Sequence, residues 1–151
     1  MKVVAVNGSP RKQWNTAQVL ESALEGCCQA GAETRMIHLY DIDYKGCRAC
    51  FACKRLDSPT YGRCGYEDGL SPVLEELLEA DLILLGTPIY FSDVSGQMRS
   101  LLERILFPGM AYDKKYSALY RKRIPTKLIF TMNMAHEGYY QPMIDQVKQV
   151  V

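Results

Sequence analysis

Residues 3–16 read VVAVNGSPRKQWNT, and the fold turns on this stretch. Residues 3–6 are apolar without a break and mostly β-branched, which predicts a strand covered on both faces, since a strand with one wet face would alternate. Asn7-Gly8-Ser9-Pro10 ends that strand in a turn. Asn15 or Thr16 is then placed to cap a helix along which Val19, Leu20, Ala23, Leu24, Cys27 and Cys28 recur at helical spacing, stopping at Gly31. Buried strand, short turn and amphipathic helix make the first half of a βαβ unit.

The alternation continues outward. Residues 34–40 read as a second strand, followed by a cysteine-rich loop. Ser71 as cap and Pro72 at the first helical position open a helix with the stripe Leu70, Val73, Leu74, Leu77 and Leu78. Residues 82–85 form a third strand ending at Gly86-Thr87-Pro88, and Ser95 caps a helix striped by Met98, Leu101, Leu102, Ile105 and Leu106. A fourth strand is expected over 127–132 and a helix over 139–151. Strands alternating with helices of this length predict an α/β fold, a doubly wound parallel sheet forming a single domain over residues 1–151.

The chain of 151 residues is 48% hydrophobic and 23% charged with a net charge of +1, values that argue against disorder and against a nucleic-acid partner. No apolar run reaches the length of a membrane span, and Met1 leads into a strand rather than a secretory leader, so the expected location is the cytoplasm. Six cysteines in such a chain point to metal, redox chemistry or burial before disulfides. Cys27 and Cys28 fall on the helix stripe and are expected in the core.

Ligands of doubly wound sheets bind beyond the carboxyl ends of the strands, which singles out residues 7–16, 87–95 and 132–138. The first loop has neither GxGxxG nor GxxxxGK[ST], excluding the dinucleotide and nucleoside-triphosphate fingerprints, and it lacks a phosphatase cysteine. It does open onto a helix N-terminus with Ser9, Asn15 and Thr16 as donors and Arg11 or Lys12 as charge, the makings of a phosphate cradle; the plain alternative is a turn and a cap. Trp14 inside it either covers the site or packs on the helix, and His136 is a loop histidine able to titrate near a ligand. Cys47, Cys50 and Cys53 form CxxCxxC, and Cys64 follows after ten residues. Four thiols suit a [4Fe-4S] cluster or tetrahedral zinc, or remain unliganded; three close ligands with a remote fourth favour iron-sulfur. The basic run at 120–123 reads as a solvated face or a docking patch.

NGSPRK followed by NT, then TPIYF after the third strand and SGQMRSLLER beyond it, resembles the flavodoxin-like NAD(P)H-dependent FMN reductases. The cysteine pattern followed by an acidic Asp68-Gly69 is similar to the iron-sulfur flavoproteins within that group, which show the triplet with a shorter gap to the fourth cysteine. The resemblance implies a flavodoxin-like FMN-binding domain in which Ser9, Arg11, Asn15 and Thr16 hold the FMN phosphate. Pro88, Ile89, Tyr90 and Phe91 would wrap the ribityl chain and one edge of the isoalloxazine. A [4Fe-4S] cluster would be held by Cys47, Cys50, Cys53 and Cys64. It further implies NAD(P)H as co-substrate, an electron acceptor of small-molecule or protein kind, and a homo-oligomer. The cofactor would carry the chemistry, so no catalytic side chain is named. The rival expectation is an FMN and iron-sulfur electron carrier or redox sensor without nicotinamide turnover. Relatives carry a glycine-rich third loop where this chain has residues 133–138, and a fifth strand and last helix beyond Val151.

Overall fold

The computed structural model describes residues 1–120, 122–133 and 138–151. The apolar run becomes strand β1 (Lys2–Asn7), with Val3, Val4, Ala5 and Val6 excluded from solvent. It is flanked on both sides by parallel partners, β2 (Glu33–His38) and β3 (Leu82–Tyr90), with Asn7 in register with His38 and with Gly86. Strand β5 (Thr126–Thr131) pairs in parallel with the far side of β3, and a two-residue strand β4 (Asp93–Val94) folds back antiparallel on the end of β3. The parallel order is β2-β1-β3-β5, the flavodoxin-like order, whose reversal of direction falls between β1 and β3.

Successive residues of β1 serve opposite faces. Val3 and Ala5 pack with Leu20 and Leu24 of α1 (Asn15–Gln29) and with Leu84. Val4 and Val6 join the larger cluster built from α2 (Ser71–Glu79), α3 (Gly96–Leu106) and α4 (Gln141–Val150). Helices therefore cover both faces, as a parallel sheet without a wet side requires. No helix among the described residues is long and apolar enough to cross a membrane.

Several elements depart from expectation. Strand β3 does not stop at Gly86-Thr87-Pro88 but runs through to Tyr90, because β5 continues the ladder as far as Pro88 opposite Thr131 and β4 pairs with Ile89 and Tyr90. Strand β2 ends at His38 and passes into a 3-10 turn, Leu39–Asp41. Neither Asn15 nor Thr16 caps α1; Trp14 occupies that position and offers no side-chain acceptor. Ser71 lies inside α2 rather than capping it: its hydroxyl accepts from the Asp68 N–H (3.1 Å) and donates to the Tyr66 carbonyl (3.3 Å). Val19 is 46% exposed because it lies about 130° round the helix from the face set by Ala17, Leu20 and Leu24, while Cys27 and Cys28, in the last turn, are half-buried and exposed respectively. Ser95 caps α3 as expected, accepting from the Met98 N–H at 3.3 Å. Arg121 and His136 lie outside the described residues.

Gly86 is where the sheet admits the first helix closely. A Cβ there would stand 2.6 Å from Leu20 Cδ1 and 3.0 Å from Thr16 Cγ2, and Leu20 is fully buried with nowhere to swing. Gly86→Ala is expected to cost about 1–3 kcal/mol by overpacking, read as a lowered urea midpoint with an unchanged m-value.

Candidate functional site

Three chain segments meet at the carboxyl ends of β1 and β3, lashed by a few buried polar groups. The Ser95 hydroxyl donates to the Gly8 carbonyl at 2.6 Å, and the Ser95 N–H donates to Thr87 Oγ1 at 3.0 Å. The Gly8 N–H in turn reaches the Gly86 carbonyl at 2.7 Å. Asn7, wholly buried, accepts the Ser9 N–H at 2.9 Å, and Ser9 Oγ accepts the Arg11 N–H at 3.1 Å, so the loop after β1 is curled by its own side chains. On the far side Thr16 Oγ1 lies 2.7 Å from Thr131 Oγ1, joining the start of α1 to the end of β5.

The cleft so framed has a volume of about 390 Å³ and is lined by Ser9, Arg11, Asn15, Thr16, Pro88, Ile89 and Tyr90, seven of the eight residues expected from sequence. Trp14, Thr131, Met132 and Asn133 complete the lining. Its floor is the start of α1, whose first-turn N–H groups have no side-chain cap and no acidic residue in that turn, an anion-seeking arrangement. Arg11 spreads its guanidinium over the Trp14 ring (4.6 Å to the centroid), which settles Trp14 as part of the mouth, whereas Lys12 pairs with Asp41 at 2.5 Å.

Phe91 is the exception. It stands fully in solvent at the tip of the β3–β4 hairpin and does not line the cleft. Phe91 and Ser92 both adopt left-handed backbone (φ 48° and 58°), conformations that two-residue hairpins usually give to Asn and Gly.

A second, small pocket of about 20 Å³ lies at the other end of α3, lined by Cys47, Cys50, Cys53 and Cys64, of which Cys53 is buried, Cys64 half-buried and Cys47 and Cys50 exposed. Two left-handed residues, Ala49 (φ 51°) and Phe51 (φ 57°), alternate with the cysteines and turn the CxxCxxC stretch about this pocket. The ten residues before Cys64 form their own loop, closed where the Gly62 N–H donates to the Cys53 carbonyl at 3.0 Å, which returns Cys64 to the triplet. Burial pushes the Cys53 thiol up; Lys54 opposes this, and the neighbouring Cys50, Cys64 and Cys47 add to it. Among the described residues no three or more His, Cys, Asp or Glu side chains are gathered closely enough to hold a metal ion.

Arg104 closes this pocket, and the sequence reading had passed it over. Its side chain is wholly buried, donating from Nε to Cys64 Sγ (3.3 Å), from Nη1 to Asp68 (2.6 Å) and the Lys45 carbonyl (3.1 Å), and from Nη2 to the Tyr66 carbonyl (2.6 Å). The sequence signal was faint: three residues after Leu101, Arg104 lies about 60° outside the edge of the apolar stripe of α3, where a charge is ordinarily solvated. Gly69 beside Asp68 is demanded by space, since a Cβ would meet the Asp43 carbonyl oxygen at 2.7 Å.

A family profile described as NADPH-dependent FMN reductase matches residues 1–124. Over 104 residues the chain is 41% identical to an iron-sulfur flavoprotein of Archaeoglobus fulgidus and 38% identical to another of Methanocaldococcus jannaschii. Each match covers 69% of this chain, and 48% and 51% of those proteins respectively. The chain thus spans about half the length of these relatives. In fold it is similar to an FMN-dependent NADH-azoreductase from Bacillus anthracis in complex with FMN (TM-score 0.69, 13% identity, 99% of this chain and 80% of that one). It is also similar to an NAD(P)H:quinone oxidoreductase from Methanothermobacter marburgensis (TM-score 0.64, 18% identity, 100% and 76%).

The Asp68–Arg104 pair should be visible in the pH dependence of stability. Burial raises the Asp68 carboxyl, but hydrogen bonds from Arg104 and from the Leu70 and Lys45 N–H groups outweigh it and hold the group below the usual carboxylate range. A carboxyl lowered in the folded state stabilises fully above its unfolded value of about 3.9, and that contribution is lost as pH falls through the folded value. Asp68→Asn is expected to lower stability by roughly 3 kcal/mol at neutral pH. Urea midpoints measured from about pH 7 to pH 3 should show the gap between variant and wild type closing at the acid end.

Proposed function

Because the chain belongs to the NADPH-dependent FMN reductase family, we propose that the cleft between β1 and β3 holds FMN and that the protein is an oxidoreductase passing electrons from NAD(P)H to an acceptor. The observation that carries this reading is the union, in one cleft, of an uncapped helix start with Ser9, Arg11, Asn15 and Thr16, and of an apolar wall from Pro88, Ile89 and Tyr90. A dianionic phosphate is matched by the first and a flat ring by the second. FMN when bound supplies a ring that accepts hydride and releases electrons one or two at a time. The chain's part is to seat the phosphate on the α1 N–H groups, to place the ring against Ile89 and Tyr90, and to shield it with Trp14 and Arg11.

The reading extends to a [4Fe-4S] cluster on Cys47, Cys50, Cys53 and Cys64. Three closely spaced ligands with a remote fourth suit the cluster better than zinc, which more often takes two separated pairs. Four thiols lining one pocket, beside a buried cation that offsets thiolate charge, support the cluster. The names of the iron-sulfur flavoprotein relatives support the same choice.

Purified anaerobically, the protein is expected to contain FMN, iron and sulfide, and added FMN should quench the single tryptophan, Trp14. Arg11→Glu and Thr16→Val should each weaken FMN binding by about 10-fold or more, the worth of a charge-assisted hydrogen bond; unchanged affinity in both would remove the phosphate assignment. Cys64→Ser should lose the cluster absorbance and keep the flavin. NAD(P)H oxidation with a dye acceptor separates turnover from electron carriage alone, in which flavin is present but nicotinamide is not consumed.

A further inference from the structure

Arg104 has five N–H donors, and their partners divide unequally. Those on the two terminal nitrogens go to oxygens: Asp68, the Lys45 carbonyl and the Tyr66 carbonyl. Together they fix the plane and rotation of the guanidinium, and the Tyr66 ring stacks on it at 5.0 Å. The remaining Nε–H is thereby directed at Cys64 Sγ, 3.3 Å away. A cation of zero solvent exposure has been built into a helix flank with a sulfur as one of its ligands. A structural ion pair needs Asp68 and the carbonyls; it does not need the thiol.

We propose that Arg104 is a positioning residue that sets the reduction potential of the cluster through Cys64. This rests on the cluster reading above. When the cluster gains one electron from the reduced flavin, no proton moves, because the guanidinium stays charged in both states; the added negative charge resides partly on the cysteine sulfurs. A hydrogen bond and a positive charge aimed at one of those sulfurs from a wholly buried guanidinium stabilise the reduced form and raise the potential. Asp68 holds the donor in place and at the same time limits how much positive charge the cluster feels.

The test is a mediated redox titration of the anaerobic holoprotein followed by EPR, with flavin and cluster read separately. In the paired variant Arg104→Met with Asp68→Asn, which removes the donor without leaving a lone buried charge, the reduced-to-oxidised ratio of the cluster at a fixed potential is expected to fall at least tenfold. For a one-electron couple that is a shift of about 59 mV. Arg104→Lys, which keeps the charge but not the fork, should shift in the same direction, while the flavin couple stays at its wild-type value. Wild-type cluster potential in a variant with full iron and sulfide would overturn the proposal. Should neither variant fold, the wild-type protein with isotopically labelled arginine nitrogen decides: pulsed EPR of the reduced cluster is expected to show coupling to a guanidinium nitrogen, and coupling to backbone nitrogen alone would overturn it. A wild-type protein without iron and sulfide would overturn the cluster reading itself, an outcome distinguished by assay before any potential is measured.

Discussion

The structure depends first on one buried hydroxyl. Ser95 Oγ takes the Met98 N–H and gives its own proton to the Gly8 carbonyl, while the Ser95 N–H is spent on Thr87. Three groups that water cannot reach are satisfied in one place, and leaving any of them unpaired would cost about 1–3 kcal/mol. The consequence is geometric as much as energetic: the turn after β1, the carboxyl end of β3 and the start of α3 cannot move independently. The cleft therefore exists before anything enters it, which is the condition for binding without a large ordering cost.

The second pocket depends on the same helix. Arg104 draws the chain between Lys45 and Asp68 onto α3 by two backbone carbonyls and a carboxylate, and this holds an otherwise irregular stretch against the core. Burying a lone guanidinium would be prohibitive, so the acidic partner and the carbonyls are part of the same invention. The left-handed residues Ala49 and Phe51 cost about 1–2 kcal/mol each in backbone terms, and they occur between the cysteines they orient, the place where such a cost is expected to have a use.

Much of this was legible in the sequence, and what was not has a common cause. Continuous apolar runs gave β1 and β3 because central parallel strands are dry on both faces. Strand-end loops gave seven of the residues lining the cleft. The missed features, with one exception, depend on partners remote in the chain. Strand β3 outlasts its apolar run because β5 pairs with Pro88. Trp14 displaces two better cap formers because Thr16 is committed to Thr131, far along the chain. Arg104 reads locally as one more charge on the flank of a helix, and only the remote segment carrying Lys45, Tyr66 and Asp68 buries it. Phe91 is the exception with a local cause: the resemblance groups it with residues 88–90, but the tight turn at the hairpin tip sends it away from them.

Helix α3 is consequently anchored at both ends, by Ser95 to the β1 turn and by Arg104 to the cysteine loop. The nine residues from one anchor to the other rise about 14 Å. Adding or deleting one residue between them would rotate Arg104 by about 100° off its carbonyls and carboxylate. The loop's outer residues 55–59 obey no such rule, since the loop is closed at its base by the Gly62–Cys53 backbone bond and pinned by Lys54 to the Phe107 and Met110 carbonyls, which leaves its tip freer to lengthen or shrink. In evolutionary descent, length variation should accumulate in that loop and be purged from α3, leaving the spacing between the two pockets unchanged while the rim around the second one diversifies.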